Sequence, residues 1–174
     1  WVLAAVDMLK EQGVERVKVD PLAKILNVTR GSFYWHFKKR QDLLDAILSY
    51  WKILATDKIV KTTENTATSA ESRLRRLLET AFQGDADHFR LEGAIRAWAR
   101  TDDKVDSLLD EIENKRVNYL LLLIEQLGWP IREAAEHARH IYYCRTGLYH
   151  QAVLPDKEAR FATVDYLLNL VRRG

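Results

Sequence analysis

The chain has 174 residues, with 27 Lys and Arg against 25 Asp and Glu and a formal net charge of +2. That length builds one domain or two small ones around a real core. No run approaches the ~18 consecutive apolar residues of a membrane span. A single cysteine, Cys144, excludes an internal disulfide. With no signal-peptide pattern either, the expectation is a soluble cytoplasmic chain with no membrane partner.

Three prolines, seven glycines and long apolar-periodic stretches predict an all-α fold. The first helix runs from about Trp1 to Gln12. Its stripe of Val2, Ala5, Val6 and Leu9 starts at the first residues, so further residues are expected before Trp1. Gly13 is a natural stop. Residues 14–19 alternate like a strand, but six isolated residues cannot sustain a sheet, so they read as an extended connector. Asp20 suits an N-cap and Pro21 a first helical position, starting a short helix with Leu22, Ala23, Ile25 and Leu26 on its apolar side. Asn27 tolerates the left-handed conformation of a tight turn. Thr29 can cap a third short helix ending near Phe37. A fourth begins near Arg40 or Gln41, with Leu43, Leu44, Ile47, Trp51 and Leu54 on one face.

Residues 61–72 are rich in Thr, Ser and Asn and read as a loop between domains. The division is drawn as 1–50, a three-helix helix-turn-helix domain, and 51–174, a helical domain. In the second part helices are expected over about 72–83, 87–100, 103–127, 131–152 and 156–172. The longest carries the stripe Val105, Leu108, Leu109, Ile112, Tyr119, Leu120, Leu123 and Leu127.

The informative chemistry lies between Asp20 and Leu44. Residues 27–41 hold Arg30, Lys38, Lys39 and Arg40 and no acid, which is what a phosphate-facing edge needs. In a helix over Thr29–Phe37, Phe33 and Phe37 fall on the inner side, and Gly31 and Trp35 on the outer. Gly31 removes a side chain where another backbone must approach. Trp35 offers flat apolar contact, as with a thymine methyl. Ser32, Tyr34 and His36 can donate to phosphate oxygens. Arg30 can extend to a guanine edge, while Arg40 sits where a cation reaches the backbone.

The stretch VTRGSFYWHFKKRQDLL resembles the recognition segment of the TetR family of transcriptional regulators. Val28, Thr29, Gly31, Phe33, Tyr34, His36, Phe37, Arg40 and Leu43 fall on the family pattern, and AAVDMLKEQGVERV resembles the first helix and connector. The resemblance covers about residues 1–51. It departs at Lys18, where the family commonly has a phosphate-touching Thr or Ser cap. Either Lys18 supplies a point charge instead, or Asp20 caps one turn later and that phosphate goes untouched. It departs again at Asn27, which stands for the turn glycine.

The resemblance implies a homodimer on a pseudo-palindromic DNA operator, and a repressor released by a small-molecule effector. It also implies a dimer interface from the last two helices and a ligand cavity among the middle ones. The DNA-binding set is Lys18, Thr29, Arg30, Gly31, Ser32, Tyr34, Trp35, His36, Lys38 and Arg40. For the cavity the aromatic candidates are Trp98, Tyr119 and Tyr142. Arg96 and Arg100, flanking Trp98, either meet an acidic ligand or face water. For the interface the expected stripes are Ala134, Ala138 and Ile141 on one helix and Phe161, Val164, Leu168 and Val171 on the next.

His137, His140 and Cys144 share a helical stripe, but one helix cannot surround a metal, so no metal or other cofactor is expected. No Gly-rich phosphate loop, nucleophile elbow or paired apolar carboxylates suggest an enzyme. The rival reading is a helical adaptor that binds protein and not DNA.

Overall fold

A computed structural model of the chain describes residues 1–66, 69–84, 86–150 and 155–172. They form ten α-helices and no strand among the described residues. The first four are α1 (Val2–Gln12), α2 (Val19–Ile25), α3 (Arg30–Tyr34) and α4 (Arg40–Lys52). Then come α5 (Lys58–Thr66), α6 (Ala70–Phe82), α7 (Ala86–Ala99), α8 (Asp103–Gln126), α9 (Ile131–Gly147) and α10 (Lys157–Val171).

Helices α1 to α4 enclose Phe33, Leu9, Leu22, Leu43 and Ile47, all fully buried. Trp1 meets Phe33 edge-on at 5.2 Å, and Phe37 stacks on Phe33 at 5.3 Å. The connector is not extended as expected. Val14–Arg16 make a 3₁₀ turn whose Val17 N–H bonds back to the Val14 carbonyl. Alternation over so few residues carries little weight against a local hydrogen bond. Helix α2 also starts earlier than expected. Its N-cap is Lys18, with extended backbone, and Asp20 and Pro21 lie inside the first turn. Pro is tolerated there because those N–H groups have no intrahelical partner.

The turn from α2 to α3 behaves as the sequence implies. Asn27 is left-handed, at φ 52°. Its N–H bonds to the Lys24 carbonyl and the Val28 N–H to that of Ala23, which satisfies two carbonyls at the helix end. Thr29 then caps α3, its hydroxyl accepting from the Ser32 N–H at 3.4 Å.

Within the loop expected over 61–72, residues 61–66 and 70–72 are helix, and 67 and 68 lie outside the described residues. Residues Ile53–Asp57 form one π-helical turn, and α5 continues to Thr66. Thr, Ser and Asn lower helix propensity without forbidding a helix that packs, and α5 packs against α6. Ser69 caps α6 by accepting from the Ser72 N–H at 3.1 Å.

Two cores result. The core of α1–α4 continues into Leu91, Ile95, Trp98 and Ala99 of α7 and Val105, Leu109 and Ile112 of α8. A second core joins α6, the far half of α8, α9 and α10. Ion pairs Lys10–Asp87 (3.1 Å), Lys104–Asp45 (2.9 Å) and Lys52–Glu111 (3.0 Å) tie the N-terminal helices to α7 and α8.

The stripes expected to meet a second subunit turn inward. Ala134, Ala138, Ile141, Val164, Leu168 and Val171 are buried in the chain's own core. Only Phe161 of that set is exposed, at the margin of the buried side. A stripe of apolar residues says that a face is covered, and here the covering comes from α6 and α8. The outward faces instead carry Tyr143 on α9 and Tyr166 and Leu170 on α10.

Candidate nucleic-acid interface and cavity

Helix α3 is the shortest of the ten, with only Phe33 of its residues buried. Trp35, its C-cap, is 89% exposed, and Tyr34 is half exposed. An indole left in water is unfavourable unless a surface covers it. A Cβ on Gly31 would meet only the Thr29 hydroxyl, at 3.6 Å, an ordinary contact. Nothing within the chain therefore requires glycine, which costs about 1 kcal/mol in a helix relative to alanine. The vacancy serves whatever lies outside.

Arg30, Gly31, Tyr34, Trp35, His36, Lys38 and Lys39 are all exposed in or just after α3, with Ser32 half-buried among them. Thr29 is exposed but already occupied as the cap. Arg30 is held in place: its guanidinium lies 3.6 Å from Asp20 and donates to the Tyr34 hydroxyl at 3.4 Å. The Tyr34 bond and then the Asp20 charge push its already high pKa upward. Lys18 is exposed at the start of α2 with no capping bond from its side chain, so its ammonium is a point charge beside the same edge. The Asp42 carboxylate accepts from the Lys38 and Lys39 backbone N–H groups at 2.9 and 3.1 Å. That fixes the loop and leaves both ammonium groups outside.

Arg40 is different from what its place in the basic cluster suggests. It is half-buried, donating from Nε to the Val17 carbonyl at 2.5 Å and from Nη2 to the Val14 carbonyl at 2.6 Å. It locks the 3₁₀ connector to α4. Two nitrogens of the cation expected at the DNA backbone are thus spent inside the chain.

Residues 2–47 match the family model described as bacterial regulatory proteins, tetR family. Over that segment the chain is similar to the N-terminal domain of this family. The regulator AcrR of Shigella flexneri is 42% identical over 43 residues, 25% of this chain and 20% of that protein. The class A tetracycline repressor of Escherichia coli is 41% identical over 46 residues, 26% of this chain and 21% of that protein. The matched segment thus spans about a fifth of these relatives' length. In solved structures the likeness extends over the whole fold. A TetR-family regulator from Streptomyces coelicolor superposes with a TM-score of 0.80 at 19% identity, over 98% of this chain and 90% of that one. One from Rhodococcus sp. gives 0.73 at 20%, over 98% and 95%.

The head is joined to a helical body, and the body holds a small cavity of about 50 Å³. Its walls come from the π turn and α5 (Thr56, Ile59, Val60), α6 (Leu77, Leu78, Ala81, Phe82), α8 (Arg116, Tyr119, Leu120) and α9 (Ile141, Tyr142, Arg145). Tyr119 and Tyr142 are on the wall as candidates. Trp98 is not. It packs with α1 and α8 in the head's core, and its indole N–H bonds to Asp102 at 3.2 Å. Its place on the inward face of α7 was right, but that face meets the head. Arg96 is turned away from water: it pairs with Glu113 at 2.6 Å and donates to the Tyr142 hydroxyl at 3.0 Å. Arg100 is exposed.

The groups the sequence reading missed are buried charges. Glu92 is fully buried and takes two bonds from Arg116, at 2.5 and 3.3 Å. Burial alone would raise its carboxyl. The charges of Arg116 and Arg145 and the bonds from Arg116 outweigh that and hold it at about 2. Arg116 also donates to the Thr56 hydroxyl at 3.0 Å and lies over the Trp51 ring at 5.7 Å. Arg145 bonds the Ala81 carbonyl and His88 Nε2, at 3.1 and 3.0 Å. The signal was present: Arg145 continues the stripe Ala134, Ala138, Ile141, and Glu92 sits beside Leu91 and Ile95. A charge on an apolar face is either an error or a partner in a buried network.

Proposed function

We propose that the chain is a sequence-specific DNA-binding transcriptional regulator, a repressor released from its operator by a small molecule. The observation that carries the reading is the outer face of α3. It combines a bare Gly31, an exposed Trp35 and a rim of cations with no acid between residues 27 and 41. A helix of that size fits a major groove, with Trp35 and Arg30 toward base edges and Lys18, Lys38, Tyr34 and His36 toward phosphates. The division at about residue 50 separates this head from the effector-binding and dimerising body. Two heads on one pseudo-palindrome require a homodimer, for which the outward Tyr143, Tyr166 and Leu170 are the apolar material.

The effector reading is supported by continuity. Helix α4 leaves the head and runs into the π turn, and Thr56 of that turn lines the cavity. Arg116 touches Thr56, Glu92 and the ring of Trp51, which belongs to the head's core. An occupant that displaces Thr56 or Arg116 therefore pushes on α4, and through it on the spacing of the two α3 helices. π turns inside helices frequently accompany such working positions.

Selection of duplexes from a random pool tests the reading. A half-site repeated with dyad symmetry, shifted in a gel at low salt and progressively lost as salt rises, is the expected result. If no sequence is enriched, the chain is an adaptor that binds protein.

A further inference from the structure

Arg145 is buried, and its three nitrogen atoms have unequal fates. Nε donates to the Ala81 carbonyl and Nη2 to His88 Nε2, while Nη1 is buried without a partner. Neither partner is an anion. The near carboxylate, Glu92, gives both oxygens to Arg116. Burial, with Arg116 and Arg96 repelling, outweighs the attraction of Glu92 and Tyr142 and lowers the Arg145 pKa to about 10. A buried guanidinium with an unsatisfied donor is costly. The chain keeps it on the wall of a cavity whose other residues are mostly apolar.

We infer that the cavity takes a small organic acid, its carboxylate on Arg145 Nη1 and its apolar body against Leu77, Leu78, Phe82 and Ile141. This rests on the reading of the cavity as the effector site and adds the chemical class of the effector. Arginine suits the role because a charged N–H donor makes a short, strong bond to a carboxylate oxygen, and Nη1 is the donor left over. The missing negative charge is supplied by the occupant, which completes the pairing that Glu92 cannot. An inorganic anion would satisfy Nη1 but leave the apolar walls unused. At about 50 Å³ the cavity admits a short or flat acid only with outward movement of a wall. The π turn and α5 form one side of it, so entry of the acid strains the helix that leads to the head.

Calorimetric titration of the 174-residue chain decides this, with sodium hexanoate and sodium benzoate against hexanamide and benzamide, and with inorganic phosphate. The carboxylates should bind about tenfold tighter than their amides, and phosphate should not compete. Arg145→Lys should keep a reduced preference for the carboxylate, and Arg145→Met should abolish it. Ala81→Leu, which fills the cavity without touching a charge, should remove binding of acid and amide alike, with an unchanged circular dichroism spectrum. Should Arg145→Met fail to fold, the acid-to-amide ratio in the unmutated chain and the Arg145→Lys titration decide the charge, and Ala81→Leu the place. Equal binding of acid and amide, competition by phosphate, or no binding of either acid overturns the inference. The regulator reading stands or falls separately, on whether the same preparation shifts its selected duplex.

Discussion

The Arg40 guanidinium donates to the Val17 carbonyl at 2.5 Å, joining the first turn of α4 to a connector twenty-three residues earlier in the chain. With its second bond, to Val14, it closes the head around α1 and α2. An arginine in a basic cluster, the residue most readily assigned to phosphate, is thereby a structural clamp.

Arg40→Ala should therefore act first on stability. Removing two bonds from a charged donor to backbone carbonyls should cost about 1–3 kcal/mol. Urea unfolding should show a lower midpoint with an unchanged slope. Arg40→Lys should recover part of the loss, since an ammonium reaches one carbonyl but not both. A variant as stable as the parent, with only a weaker and less salt-dependent hold on DNA, would restore the phosphate role.

How much was legible follows from the kind of signal. The turn at Asn27, the Thr29 cap and the inward Phe33 with outward Trp35 were readable because each depends on neighbours within one or two helical turns. Arg40 was not, because a free cation and a clamp look alike until a connector distant in sequence is folded against it. The α9 and α10 stripes showed that those faces are covered, but not whether by α6 and α8 or by a second subunit. Trp98 is of the same kind: periodicity gave its burial, and only packing could give its neighbour.

The Glu92–Arg116 pair predicts an acid limit to stability. The carboxyl is held at about 2 in the folded chain against an ordinary 4.5, so the pair's stabilisation is complete above that ordinary value. It is lost as pH falls from there toward 2, by on the order of 3 kcal/mol. Glu92→Gln should flatten that part of the pH profile. At neutral pH it should cost about 3–5 kcal/mol, because Arg116 and Arg145 are left buried without their counter-charge. Thermal melts from pH 7 to pH 2 check both, and parallel profiles for the parent and the variant would refute the assignment.

The outward faces of α9 and α10 predict where two copies meet. Tyr166 and Leu170, one turn apart on α10, are exposed beside the small Ala159 and Ala162, with Tyr143 exposed on α9. Small residues allow close approach of helices, and the tyrosines supply area and a hydroxyl for the rim. A stable interface there should exceed ~1,000 Å² in total. Leu170→Glu should shift the sedimentation coefficient from dimer toward monomer at micromolar concentration. Val164→Ala, in the chain's own core, should lower the melting temperature and leave the dimer intact. If Leu170→Glu stays dimeric, the copies meet elsewhere.

On the DNA side the cations should divide by what they reach. Lys38 follows α3 with an exposed side chain, its own N–H already fixed by Asp42, so its ammonium can follow a phosphate without disturbing the fold. Phosphates are alike along any duplex. Lys38→Ala should therefore weaken selected and scrambled duplex by similar factors and make the salt dependence of log K shallower by roughly 0.9 for each phosphate no longer neutralised. Arg30 stands at the first position of α3, beside the bare Gly31, poised between Asp20 and Tyr34. Those two partners pre-orient the guanidinium and hold it weakly enough, at 3.4 and 3.6 Å in exposed positions, to be exchanged for a guanine edge. Arg30→Ala should relax preference at one or two base pairs of each half-site, at about 1–3 kcal/mol for each base edge no longer read. Asp20→Asn separates orientation from base reading. It frees Arg30 from its carboxylate while leaving the arginine in place, so it should strengthen binding to all duplexes slightly by removing a negative charge, and keep the base preference. Anisotropy titrations of the three variants against selected and scrambled duplex, over a series of salt concentrations, give all of these quantities. If Arg30→Ala changes only the salt slope while Lys38→Ala alters base preference, the two roles are exchanged and α3 lies in the groove with its opposite end leading.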